Sequence, residues 1–127
     1  MNPPGPIHPG PDDGYPMQMR RLILAFMVKG PNWAPSSTPE GKRNQADHLA
    51  LLRRLHQSGE LLMSGPIPDG DPERGVLVFD LHQEEDVLAL LADDAHLRSG
   101  QLAIEMYPWL VPAETLEQPF RSADSGG

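Results

Sequence analysis

Cysteine is absent from the 127-residue chain, which removes a disulfide framework, a Cys-ligated zinc or iron–sulfur centre and a thiol nucleophile from consideration. A cytoplasmic setting is compatible with that absence. Long apolar runs are missing too: the most continuous, Leu22–Val28, falls far short of the ~20 residues a membrane-spanning helix needs. Positive charge is scarce, with 10 Lys and Arg against 18 Asp and Glu, and the net charge of −8 repels phosphate backbones and anionic lipid surfaces. Neither nucleic acid nor a membrane is therefore expected as a partner. The sequence contains no phosphate-binding glycine loop and no nucleophilic triad, and neither a cofactor nor a metal is the leading expectation.

Proline and glycine, by contrast, are abundant, at 15 and 12 residues, while only 39% of residues are hydrophobic. That bias is not evenly spread. Six prolines fall within the first sixteen residues, interleaved with Gly5, Gly10 and Gly14. Proline fixes φ and lacks the amide a sheet ladder needs, so residues 1–19 read as a disordered or extended arm. This arm has neither the basic start nor the apolar stretch of a signal peptide. Residues 113–127 read as a tail ending in Ser-Ala-Asp-Ser-Gly-Gly, with one docked turn considered around residues 115–120. Apolar content concentrates in residues 20–112, which are expected to form the single domain.

Within that domain, Leu22–Val28 is short, nearly continuous and closed by Gly30-Pro31, as suits a central strand covered on both faces. Thr38 as N-cap and Pro39 at the first helical position open a helix whose stripe contains His48, Leu51, Leu52 and Leu55, and Gly59 stops it. A short strand over residues 60–64 follows, closed by Gly65-Pro66, then a loop over residues 68–75 and a strand over residues 76–81. A second helix is expected over about residues 83–92 and a last strand over residues 103–110. The order strand, helix, strand, strand, helix, strand predicts an α+β, ferredoxin-like βαββαβ domain: a four-stranded antiparallel sheet with two helices on one face. The helices leave the other sheet face bare although it too is apolar, and a second copy of the sheet would cover it, so a face-to-face homodimer is expected.

Ionisable residues are informative where the pattern predicts burial. His48 lies on the apolar stripe of the first helix, and Asp94 continues the stripe of Val87, Leu90 and Leu91 to the end of the second. A carboxylate that holds one imidazole nitrogen leaves the other free to move a proton, so His48 and Asp94 are the candidate catalytic pair. The bland alternatives are a core histidine bonded to a backbone carbonyl and an aspartate that organises the following turn. His96 is open to two roles, as a substrate contact or, with His48 and Asp94, as a metal ligand. His56 and His82 read as surface residues. Trp33 is either a lid over a ligand or a packed anchor, and Ser64-Gly65-Pro66 either lets a substrate approach the backbone and the Ser64 hydroxyl or simply ends a strand.

Taken in order, Gly30-Pro31-Asn32-Trp33, His48-Leu49, Gly59-Glu60-Leu61-Leu62-Met63-Ser64-Gly65-Pro66, Arg74-Gly75-Val76-Leu77-Val78-Phe79, Asp93-Asp94 and Glu105-Met106-Tyr107-Pro108-Trp109 resemble the YCII-related (YciI-like) family. The resemblance covers nearly all of the domain and neither tail. It implies the dimeric α+β barrel superfamily and a site centred on a histidine and an aspartate, which map onto His48 and Asp94. The family usually follows the aspartate with proline and an aromatic residue, where this chain has Ala95 and His96. Two functions are carried forward. One is a small enzyme in which the pair performs general acid/base chemistry (isomerisation, elimination or hydrolysis) on a small organic substrate; the other is a non-catalytic small-molecule-binding or assembly module of the same dimeric fold.

Overall fold

The apolar run at residues 22–28 lies at the centre of an antiparallel sheet, as its two apolar side-chain sets require. A computed structural model describes residues 7–8, 17–35, 38–68 and 75–115. The elements in chain order are β1 (Ile7–His8), β2 (Met19–Lys29), α1 (Pro39–Ser58), β3 (Leu61–Pro66), β4 (Gly75–Phe79), α2 (Glu84–Leu90), α3 (Ala95–Ser99) and β5 (Leu102–Pro112). The four main strands lie in the order β3, β4, β2, β5, every pair antiparallel. This is the ferredoxin-like arrangement expected from the sequence. Because β5 pairs along the whole of β2, β1 occupies the other edge of β2, beyond the end of β4.

Local signals explain the first helix. Thr38 Oγ1 accepts a hydrogen bond from the Gly41 amide at 3.0 Å, Pro39 opens the first turn, and Gly59 closes the helix with φ +86°. The prolines inside strands fall where no ladder amide is missed, Pro108 on the edge strand β5 and Pro66 at the end of the edge strand β3. A register shift between Leu61 and Met63 bends β3 against β4.

The sheet's alternation separates two apolar layers. Ile23, Ala25 and Met27 of β2, with Leu61, Leu77, Phe79 and Leu102, pack against Leu51 and Leu55 of α1 and against Val87 and Leu91. Complete burial of a side chain such as Phe79 stabilises the fold by about 1.5–3 kcal/mol. On the opposite face lie Leu22, Leu24, Val76, Val78 and Val111. Tyr107 and Trp109 pair with Leu24 and Leu22, so they stand on this face too, and they remain 50% and 43% exposed. Among the described residues, no helix covers it.

The second helix departs from expectation. It stops at Leu90 rather than continuing to residue 92, the chain turns at residues 91–93, and a separate five-residue helix, α3, starts after Asp94. The apolar spacing runs unbroken from Val87 to Leu91, but Asp94 caps the next turn instead of extending this one. Residues 69–74 of the loop expected over residues 68–75, and residues 116–120 of the turn considered around residues 115–120, lie outside the described residues.

The α3–β5 connection is clamped to the end of β2. Gly30 N donates to Gln101 O at 3.0 Å, Asn32 N donates to Gly100 O at 2.9 Å, and Asn32 Nδ2 donates to Ser99 O at 2.9 Å. A Cβ on Gly30 would collide with the Gly100 carbonyl, and Gly100 itself sits at φ +78°. Gly30→Ala is therefore expected to destabilise the fold by about 1–3 kcal/mol or more. Gly65→Ala, whose Cβ would meet open space, is expected to stay within about 0.5 kcal/mol of the parent. Denaturant midpoints of the two variants check this.

Candidate active site

The stripe of α1 that faces the sheet begins one turn before Leu51 and Leu55, at His48, which is 8% exposed. Asp94 reaches the same point from α3. As N-cap it accepts the Leu97 amide on Oδ1 at 3.0 Å, and its Oδ2 lies 2.5 Å from Nδ1 of His48. Asp94 is fully buried, so both of its oxygens are used where an unpartnered carboxylate would be costly. The two roles weighed for Asp94, turn organiser and histidine partner, are filled by the two oxygens of one side chain.

Burial pushes the Asp94 carboxyl upward. The hydrogen bond and charge of His48, the Leu97 amide and the charge of His96 together outweigh that, and the group sits below its ordinary value. Ionised Asp94 can only accept, so Nδ1 of His48 carries the proton of the shared bond. In the neutral ring, Nε2 is then the unprotonated nitrogen. It is the atom left to a molecule beside the helix.

A cavity of about 390 Å³ opens there, between α1 and the β3–β4 end of the sheet. His48, Ser64, Gly65 and Pro66 all line it, so four of the residues singled out from the sequence meet at one site. Leu52, Met27 and Leu102 supply apolar wall, and no Lys, Arg, Asp or Glu is among the lining residues. Asp94 stands behind His48. His96 is buried beside it, with ring centroids 5.0 Å apart, and does not line the cavity. Trp33 does not line it either: the indole is half-buried against the core, and Nζ of Lys29 lies 4.2 Å from its ring centroid. His56, read as a surface residue, is exposed, yet its Nε2 lies 3.1 Å from Oγ of Ser64.

Gln45 is the lining residue that sequence reasoning passed over. Its signal was present, because it precedes His48 by three positions and so shares a helix face with it. A polar residue in an exposed stretch of helix gives no other hint. Among the described residues, no group of three or more His, Asp or Glu is arranged to hold a metal ion. No helix among them is long and apolar enough to cross a membrane.

A carboxyl held lower in the folded chain than in the unfolded one contributes stability above its unfolded pKa, and that contribution is lost as pH falls through the folded value. The parent protein is therefore expected to exceed Asp94→Asn in stability by about 1–3 kcal/mol at neutral pH. Asparagine keeps the helix cap and loses the charge. The difference is expected to shrink as pH falls below the ordinary carboxyl value of 3.8. Denaturant midpoints against pH for the two proteins measure it.

No curated protein matches the chain. Among solved structures, 5-chloro-2-hydroxyhydroquinone dehydrochlorinase from Burkholderia phenoliruptrix AC1100, in complex with 2,5-dihydroxybenzoquinone, shares the fold, with a TM-score of 0.53 at 21% identity. The likeness covers 69% of this chain and 92% of that one. The model of the YCII-related domain matches residues 23–110, a span that runs from β2 to β5 and includes both His48 and Asp94. The chain thus belongs to the YCII-related domain family.

Proposed function

We propose that the chain is a small cytoplasmic homodimeric enzyme in which His48, oriented by Asp94, transfers a proton on a small organic ring compound bound beside α1. The observation that carries this reading is the 2.5 Å contact between His48 Nδ1 and a fully buried carboxylate, with the imidazole at a cavity wall. Asp94 fixes the tautomer and stabilises the imidazolium that forms when Nε2 takes a proton. Ser64, Gly65 and Pro66 form the opposite wall, where the edge strand offers a hydroxyl and a backbone without bulky side chains.

Size and polarity narrow the substrate. A cavity near 390 Å³ is at the small end of ligand sites and suits a single ring with few substituents. A lining of apolar residues with Gln45, His48 and Ser64 favours a neutral or weakly acidic molecule over a phosphorylated one. Among isomerisation, elimination and hydrolysis, elimination is supported by the likeness to a dehydrochlorinase. In such a step the ring compound reacts as its diketo tautomer, in which the chlorine-bearing carbon is tetrahedral: Nε2 removes a proton from the adjoining carbon, the electrons left behind form a carbon–carbon double bond, and the chloride departs with its electron pair. The imidazolium then returns its proton to solvent.

The homodimer is supported by the second sheet face. Tyr107 and Trp109 keep half or nearly half of their surface exposed among Leu22, Leu24 and Val78, a composition typical of a covered sheet.

The test is incubation of the full chain with 5-chloro-2-hydroxyhydroquinone while released chloride is measured. Turnover is expected, with kcat/KM about 10²- to 10⁴-fold lower in His48→Ala. Binding of 2,5-dihydroxybenzoquinone without any turnover, retained in His48→Gln, would instead identify a binding module. Tyr107→Lys combined with Trp109→Lys is expected to halve the sedimenting mass; a mass unchanged from the parent would remove this face as the interface.

A further inference from the structure

Gln45 lies one helical turn before His48, and both line the same cavity. Its Oε1 is 2.6 Å from Nε2 of His96, a residue only 2% exposed. A carbonyl oxygen carries no hydrogen, so the proton of that contact belongs to His96 Nε2. The side-chain amide is planar with oxygen and nitrogen at opposite corners. Once the oxygen is committed to His96, the NH₂ group is the end that remains for the cavity. Turning the amide over would require His96 to carry its proton on Nδ1 instead, so the protonated ring nitrogen reports which end of the amide faces the cavity.

We propose that Gln45 is a fixed hydrogen-bond donor to an oxygen of the substrate, a carbonyl, enolate or phenolate, and that His96 is the positioning residue that keeps the donor end inward. This assignment rests on the acid/base reading of the same cavity and specifies its ligand class: a compound bearing an oxygen next to the atom that loses its proton. His48 Nε2 takes the proton, and the Gln45 amide holds the oxygen onto which negative charge moves. Donors set in place before the reaction stabilise such charge without reorganising. Both groups trace back to one short helix, because Asp94, its cap, orients His48 while His96, in its first turn, orients Gln45. Base and donor thereby keep a common register.

Calorimetric titration of the full chain with 2,5-dihydroxybenzoquinone, a ring compound rich in acceptor oxygens, tests the proposal. Gln45 is exposed, so its variants are expected to fold. Gln45→Met is expected to weaken binding about tenfold or more, and Gln45→Glu, which offers an acceptor in nearly the same volume, at least as much. His96→Phe is expected to weaken binding as Gln45→Met does and to have no further effect in the Gln45→Met background, a non-additivity that a merely structural role would not produce. Because His96→Phe alters a buried site, nitrogen-15 NMR of the histidine rings in the parent protein supplies a second readout, with His96 expected to carry its proton on Nε2 at neutral pH. A parent protein that does not bind the quinone overturns the functional reading and the donor assignment with it. Equal binding by the parent and Gln45→Met overturns the donor assignment alone. An unprotonated Nε2, or a His96→Phe effect that persists in full without Gln45, overturns the positioning role.

Discussion

A single buried carboxylate ties the backbone of one helix to the side chain of another. Asp94 closes the first turn of α3 through Oδ1 and holds the imidazole of His48 through Oδ2, so the position of α3 and the tautomer of the histidine are set by the same group. Neither half is independent. Without the cap, the carboxylate would have no fixed place from which to meet α1, and without His48 its buried charge would lack its compensating partner. His96 enters the arrangement because the turn that Asp94 starts also carries it inward against His48.

Precision at that point depends on how the short helix is anchored. Five residues of helix have little stability of their own. The clamp between Gly30, Asn32 and the Ser99–Gln101 turn fastens its C-terminal end to the end of β2, the central strand of the sheet. Close approach of the two chain segments is possible because Gly30 has no Cβ and Gly100 adopts a left-handed conformation. The opposite wall of the cavity belongs to β3, an edge strand, whose Gly65 faces open space. The site thus lies between a wall that carries the ionisable groups and an edge strand of the sheet.

The elements differ in how much of them could be read in advance. Helix α1 was legible to the residue, since Thr38, Pro39 and Gly59 act on their own backbone neighbours and need no tertiary partner. The strand order followed from the alternation of apolar runs with two helical stripes. The end of α2 was not legible in the same way: an i+3, i+4, i+7 spacing carried the expected stripe to Asp94, while the competing signal, an aspartate able to cap the turn at Leu97, has equal standing in sequence alone. Gln45 and the contact between His56 and Ser64 had no sequence signal beyond helical spacing. Their significance comes from residues eight to about fifty positions away.

By itself, the sequence determined the fold class, the exclusion of thiol chemistry and the two residues most worth watching, because each of these depends on composition or on local periodicity. Only the tertiary structure decided that His48 and Asp94 meet, that Ser64, Gly65 and Pro66 share their cavity while Trp33 and His96 stand outside it, and that Gln45 joins them. The physical reason is directional. Periodicity says which side of an element is buried, but a hydrogen bond of about 3 Å depends on where two elements cross and how each side chain turns there. Those are properties of the packed chain, set here by the cap of a helix that periodicity alone did not separate from its neighbour.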